Sequence, residues 1–82
     1  MAEEKVVAFV LAVTEIGKEY DVVEGIKDIA RRTDVEVEAY VVYGEYDVAA
    51  KIVADGLKKV DKVVTMIRSL PGVMRTVTLI AA

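Results

Sequence analysis

The chain lacks cysteine, histidine and tryptophan, and it contains a single proline. Without cysteine or histidine it can form no disulfide, thiolate nucleophile or ordinary zinc site, so we expect no metal and no catalysis of those kinds. Its 82 residues suit one domain, which we place at residues 1–82. A domain of this size buries only about 60–65% of its unfolded surface, which leaves a thin core. Association with another chain is the reinforcement that remains.

Basic charge is also scarce, since eleven basic residues stand against fourteen acidic ones and the net charge is −3. This balance does not favour binding to a phosphate backbone, so we expect no direct contact with nucleic acid. The longest apolar run, residues 6–13, is too short to span a bilayer and follows glutamates rather than a basic start. We therefore expect no membrane segment and a cytoplasmic location. The 30% share of charged residues is typical of a thermophile.

Apolar residues are abundant, at 55% of the chain, and their periodicity indicates strands and helices. Residues 5–13, KVVAFVLAV, show no polar alternation and predict a central strand covered on both faces. Residues 18–32 have the apolar spacing of an amphipathic helix, on which Asp28 and Arg32 are four apart and able to pair. Gly25 lies inside this helix, where it either permits a close approach or is simply tolerated. We favour simple tolerance.

The stretch AYVVYGEYDVAAKIV, residues 39–53, predicts a β-hairpin. Glycine tolerates positive φ at the first central position of a type II′ turn, so we expect a two-residue loop at residues 44–45. In that register Glu36 or Glu38 lies opposite Lys51 and can form a cross-strand charge pair.

A second amphipathic pattern at residues 57–69 predicts another helix, with Asp55 as its N-cap candidate. Pro71 ends it, and residues 73–82 are β-rich to the last residue. The order βαββαβ with right-handed crossovers predicts a ferredoxin-like α+β sandwich, a four-stranded antiparallel sheet with both helices on one face. The other face would be open and apolar, so we expect the chain to dimerise through its sheet, as in dimeric α+β barrels.

The hairpin tip, residues 43–47, carries more polar chemistry than a turn requires. Asp47 is a candidate acceptor for the ammonium of a free amino acid, and main-chain groups around Gly44 could bind its carboxylate. Tyr43 or Tyr46 would form a wall against the ligand. A simpler interpretation is that Gly44 only makes the turn, Glu45 is solvated and Asp47 bonds the turn backbone. Residue spacing alone favours this simpler interpretation.

Motifs of other kinds are few. The glycines do not form a Walker-type loop or a GxGxxG sequence, and paired histidines are absent. Thr76 and Thr78 share one face of the last predicted strand. The high β-propensity of threonine is enough to explain both residues in a strand. The more specific alternative is that their hydroxyls donate hydrogen bonds to a ligand.

The string EAYVVYGEYDVAAKI, followed by a helix, LPGV and a Thr-x-Thr final strand, resembles the effector-binding domain of the Lrp/AsnC family of regulators, the regulation-of-amino-acid-metabolism module. The resemblance covers nearly the whole chain. It implies a βαββαβ module that dimerises through its sheets, assembles into rings of dimers, commonly octamers, and binds amino acids between dimers. The family's binding positions fall here on the hairpin tip and, from an adjacent dimer, on the last strand: Gly44, Glu45, Tyr46, Asp47, Thr76 and Thr78, with Leu79 nearby.

The sequence departs from the family pattern at two places. Family regulators carry a helix-turn-helix domain ahead of this module, whereas only four or five residues precede the first strand here. We therefore expect a stand-alone module that does not bind DNA directly. The connector at residues 31–34 also lacks the proline often found there.

The leading hypothesis is an amino-acid-sensing and oligomerisation module without cofactor or catalysis. It would act by binding a small effector or by co-assembling with full-length regulators of the family. The alternative is a cofactor-independent enzyme of the dimeric α+β barrel type, with polar residues enclosed behind the sheet. A purely structural partner without a ligand is a third possibility.

Overall fold

The protein folds as an alternation of strands and helices in the predicted order. The structure, a computed structural model, describes residues 4–82. The elements are β1 (Lys5–Thr14), α1 (Glu19–Thr33), β2 (Glu36–Val41), β3 (Val48–Asp55), α2 (Leu57–Arg68) and β4 (Val73–Ile80). They form one antiparallel sheet in the order β2-β3-β1-β4, so the predicted ferredoxin-like fold is confirmed. Neither helix is long and apolar enough to cross a membrane.

Strand β1 is an inner strand, as its apolar sequence predicts, because it pairs with β3 on one edge and with β4 on the other. Ala8, Val10 and Ala12 point towards the helices and are buried. Residues of the alternate set point to the opposite side of the sheet, which we call the open face. Phe9 on this face is 40% exposed. The helices therefore cover β1 on one face only.

The core between sheet and helices is built from alanine, valine and isoleucine alone. The sheet supplies Ala8, Val10, Ala12, Ala39, Val48, Ala50, Ile52 and Ala54, and the helices supply Val22, Val23, Ile26, Ile29, Ala30, Val60, Val63 and Ile67. Five of the eight sheet residues are alanines, against one of the eight helix residues, so the smaller side chains of the layer lie mainly on the sheet. The aromatic side chains all lie outside this core.

The start of α2 differs from the prediction. Its N-cap is Gly56, with no side-chain capping bond. Asp55 instead forms an ion pair with Lys5, at 2.8 Å between Oδ1 and Nζ. These two residues lie opposite each other in the β1–β3 ladder. The prediction of Asp55 as N-cap is wrong because a cation on the neighbouring strand binds its carboxylate.

The two other predicted charge pairs have different outcomes. Asp28 Oδ2 lies 3.0 Å from Arg32 Nε on α1, which confirms that pair. Glu38 lies opposite Lys51, as predicted, but no ion pair joins them in the described structure. Glu38 Oε1 instead accepts a hydrogen bond of 3.1 Å from the Tyr40 hydroxyl, which raises the pKa of Tyr40.

Gly25 marks a close approach between α1 and the end of α2, so the expectation of simple tolerance is wrong. A Cβ atom at Gly25 would lie 2.9 Å from Cδ2 of Leu70, well inside contact distance. Leu70 packs against the core just after α2 ends. The missing side chain of Gly25 is what makes room for it.

This contact predicts that alanine at position 25 has opposite effects on stability with and without the Leu70 side chain. Alanine at Gly25 gains about 0.8–1 kcal/mol of helix propensity, whereas overpacking against Leu70 costs about 1–3 kcal/mol. We expect Gly25→Ala to lower the free energy of unfolding in the wild-type chain and to raise it in a Leu70→Ala background. Denaturant unfolding of the wild type, the two single variants and the double variant gives the four free energies of unfolding that this double-mutant cycle needs. The same effect in both backgrounds would show that Leu70 does not explain the glycine.

The Lys5–Asp55 pair predicts a specific titration. Its hydrogen bond and charge hold the pKa of Asp55 below the ordinary value of 3.8. Because folding lowers this pKa, the stability gained is complete above 3.8 and is lost as the pH falls through the lowered value. In Lys5→Met we expect the Asp55 carboxyl midpoint, followed by NMR, to rise towards 3.8. Lys18→Met is the control and should leave it unchanged; an unmoved midpoint in Lys5→Met would contradict the assignment.

Candidate functional site

The hairpin between β2 and β3 has the predicted register but not the predicted turn. Val41 lies opposite Val48, which is the register centred on residues 44–45. The last main-chain bond runs 2.9 Å from the Val42 N–H to the Asp47 carbonyl, so no tight two-residue turn closes beyond it. The predicted type II′ turn is therefore wrong in its detail. Gly44 has φ +136°, a conformation that favours glycine, as expected.

The carboxylate and the N–H of Asp47 are bound to β1 rather than to the turn. Its N–H donates to the Ala12 carbonyl at 2.9 Å. Its Oδ2 accepts from the Thr14 N–H at 2.8 Å, and the Thr14 hydroxyl lies 3.5 Å from the same oxygen. The sequence alone favours an Asp47 that bonds its turn backbone, whereas the structure places the carboxylate on the backbone of β1. It thereby serves as the missing ladder partner of the last residue of that strand.

The second carboxylate oxygen of Asp47 is free. Within residues 4–82, Oδ1 has no hydrogen-bond partner, and it keeps contact with solvent because it is not among buried unpaired atoms. Thr14, which holds the other oxygen, is buried at 6% exposure. The carboxylate is thus fixed on one side and open on the other. Charged N–H donors, an ammonium group among them, bind such an oxygen roughly twice as strongly as neutral donors do.

The two tyrosines of the hairpin tip differ in position. Tyr43 is 99% exposed. Tyr46 is half-buried, and the Arg75 guanidinium carbon lies 5.8 Å from the centre of its ring, within cation–π range. Arg75 lies opposite Val13 near the start of β4. Thr14 and Arg75 are not among the predicted site residues. The βαββαβ topology, which sets the start of β4 beside the end of β1, was the available signal.

Thr76 and Thr78 lie elsewhere in the same chain. They stand opposite Ala12 and Val10 on β1, so they face the helix side of the sheet. Both line a cleft of about 430 Å³ between α2 and β4, here called the α2–β4 cleft, whose lining includes no residue of the hairpin tip. The structure therefore brings Asp47 together with Thr14 and Tyr46 together with Arg75. The two threonines lie in the α2–β4 cleft, which Arg75 also lines. In residues 4–82 no cluster of acidic side chains is arranged to hold a metal ion.

Comparison with known proteins gives a consistent result. The chain matches the family model described as the Lrp/AsnC ligand binding domain over residues 7–82. No curated protein sequence matches it. Among solved structures, hypothetical protein PHS023 from Pyrococcus horikoshii is 45% identical, with a TM-score of 0.77 over 94% of this chain and 89% of that one. TTHA0845 from Thermus thermophilus is 35% identical, with a TM-score of 0.82 over 94% of this chain and 92% of that one.

A more distant structure shares the fold. AsnC from E. coli is 19% identical, with a TM-score of 0.76 over 93% of this chain and 50% of that one. The resemblance drawn from the hairpin string and LPGV is thus confirmed by a model that spans nearly all of the described residues. The chain belongs to the Lrp/AsnC ligand-binding domain family.

Proposed function

We propose that the chain is an amino-acid-binding and oligomerisation module that modulates transcription by sensing an effector or by co-assembling with full-length regulators of its family. It acts by binding, without catalysis or a cofactor, in the cytoplasm. Membership of a ligand-binding domain family supports this proposal. The alternative enzyme needs polar residues enclosed behind the sheet, whereas within residues 4–82 the single buried polar residue is Thr14, which serves the hairpin.

The fixed carboxylate of Asp47 is the observation that carries the proposal. A ligand ammonium would bind its free Oδ1 without having to immobilise the side chain first, because Thr14 already holds it. The ligand carboxylate would meet main-chain groups at Gly44, beside which the structure leaves open space. Tyr46, held near Arg75, would form the wall of the pocket.

The remaining predicted residues would act across an interface. Tyr43 and Glu45 are exposed at the tip, so they are available to a neighbouring chain. Thr76 and Thr78 would approach the tip from an adjacent dimer. A ligand between dimers favours the assembled state in proportion to its preference for that state. Sensing and oligomerisation would then be a single equilibrium.

Dimerisation through the open face would precede this assembly. Large apolar side chains on that face are exposed, with Phe9 at 40%, Tyr40 at 56% and Leu79 at 52%. Phe9 lies opposite Leu79 on β4 and lines one cleft with Tyr40 on β2. Ala49 of β3 lies opposite Tyr40 and links the two sides, whereas Lys51 lies opposite Phe9. A continuous apolar patch of this kind marks an interaction surface.

The first test removes the charge of Asp47 and keeps its shape. Asn at position 47 can still accept the Thr14 N–H, so the fold should persist. Loss of a charge-assisted hydrogen bond should weaken amino-acid binding by about 10- to 100-fold in Asp47→Asn, measured by calorimetry against a panel of amino acids. Asp47→Ala should in addition lose about 1–3 kcal/mol of stability, because the Thr14 N–H is left unsatisfied.

The matched control is Asp21→Asn, the same change on the exposed surface of α1. It should leave amino-acid affinity as it is in the wild-type chain. Equal affinities for the wild-type, Asp21→Asn and Asp47→Asn proteins would remove Asp47 from the site and with it the proposed ammonium contact.

The second test concerns the open face. Phe9→Asp places a charge in the centre of the apolar patch, where burial in a dimer would cost several kcal/mol. We expect it to convert the dimer to monomer at micromolar concentration, read by native mass spectrometry and light scattering. Ile16→Asp changes a fully exposed residue in the β1–α1 loop and should leave the assembly mass unchanged. A Phe9→Asp protein that assembles like the wild type would refute the sheet-to-sheet dimer.

A further inference from the structure

Arg75 is a cation at the hairpin tip that has no anionic partner in the described part of the chain. Within residues 4–82 its guanidinium forms no ion pair and donates no hydrogen bond. It lies instead over the Tyr46 ring, 5.8 Å from the ring centre. A cation–π contact of this kind uses the charge of the guanidinium and leaves its N–H groups able to donate to oxygen. Tyr46 therefore orients Arg75 without satisfying it.

Arg75 and Asp47 flank the same end of β1. Arg75 lies opposite Val13 on the β4 side of that strand. On the β3 side, the Asp47 N–H donates to the Ala12 carbonyl and its Oδ2 accepts from the Thr14 N–H. Strands β3 and β4 are separated by β1, so their backbones lie about 10 Å apart. A fixed anion and an oriented cation thus lie on the two sides of half-buried Val13, and no ion pair joins them within residues 4–82.

This arrangement offers the ligand one contact that its amino-acid backbone does not use. In the proposed site the α-ammonium meets Oδ1 of Asp47 and the α-carboxylate meets main-chain groups at Gly44. Every amino acid has these two groups, so neither contact selects among amino acids. Arg75 is left for the ligand side chain. A guanidinium binds a carboxylate through two parallel charge-assisted hydrogen bonds, which are roughly twice as strong as neutral ones.

The charges around the site also rank the possible side chains. An acidic side chain would give Arg75 the anion that it lacks. A neutral side chain would leave the guanidinium unpaired beside the ligand, and a basic one would place like charges together. Glu45, the other acidic residue of the tip, is exposed, so its charge is screened by water and salt. The order of preference is therefore acidic, then neutral, then basic.

We propose that Arg75 determines the specificity of the hairpin-tip site and that the effector is a dicarboxylic amino acid such as glutamate. The inference rests on the proposed function, because Asp47 and Gly44 must first hold the ligand backbone. The Arg75 guanidinium then binds the side-chain carboxylate through its two-pronged edge, while the ligand methylenes lie over Val13. Tyr46 holds the guanidinium in place. Arg75 and Asp47 belong to one chain, so this selectivity does not depend on a residue from an adjacent dimer.

The test is a calorimetric titration of the full chain with glutamate, glutamine and lysine, which share one backbone and differ in side-chain charge. We expect glutamate to bind about tenfold or more tightly than glutamine, and lysine to bind most weakly. Arg75→Met keeps a long side chain without the guanidinium. It should weaken glutamate binding by about 10- to 100-fold and bring the ratio of glutamate to glutamine affinity close to one. A merely structural role for Arg75 would weaken both ligands alike and leave the ratio as it was.

The matched control is Lys62→Met, which removes a positive charge from the exposed surface of α2. It should change the glutamate-to-glutamine ratio less than twofold, since a remote exposed charge acts only through screened electrostatics. Equal wild-type affinities for glutamate and glutamine, or a ratio that persists in Arg75→Met, would overturn the inference, whereas the binding itself would still support the proposed function. Absence of binding by every amino acid tested would overturn both.

Discussion

The structure depends on one constraint, which is that two helices cover only one face of a four-stranded sheet. A core one layer thick must then be filled by residues that pack closely, and it consists of alanine, valine and isoleucine. The aromatic rings are consequently left for other surfaces, with Phe9 and Tyr40 on the open face and Tyr43 and Tyr46 at the hairpin tip. Two helices also do not cover the whole sheet, so the edge strand β4 is partly accessible beside α2. This gap forms the α2–β4 cleft.

At the end of β1 a side-chain carboxylate takes the place of a main-chain hydrogen-bond acceptor from the neighbouring strand. Beyond Val48 the β3 backbone departs from the ladder, and the Thr14 N–H would be left unpaired near the core. The Asp47 carboxylate accepts it and so holds the hairpin tip against the sheet, although residues 43–46 have no main-chain turn bond to fix them. The Asp47 carboxylate of the tip is held by Thr14, whereas Gly44 and Tyr43 face solvent. This combination suits a ligand site, because the ordering of the charged group is already done.

Local patterns in the sequence predicted what depends on local physics. The loop expected at residues 44–45 predicted the hairpin register, and the apolar spacing of residues 18–32 predicted the amphipathic helix α1. The type II′ turn was a local error. The other errors involve contacts between residues far apart in sequence. Leu70 explains Gly25, and Lys5 takes Asp55 from the helix cap. Asp47 was placed at the candidate site, but its bond to Thr14 required knowledge of which strand lies beside the turn. The separation of Thr76 from the tip within one chain follows likewise from strand order.

The positions of the open face and the hairpin tip also determine whether both can act at once. Phe9 lies in the middle of β1, whereas Thr14 and the Asp47 that it binds lie at the end of that strand. A partner sheet placed over Phe9 would cover the apolar patch and leave the tip at the rim of the pair. The tip could then meet a second dimer without displacing the first partner. A thin core stabilised by assembly and a ligand site completed by assembly would draw on the same association free energy, so effector binding would register as a change in oligomer population and in stability together.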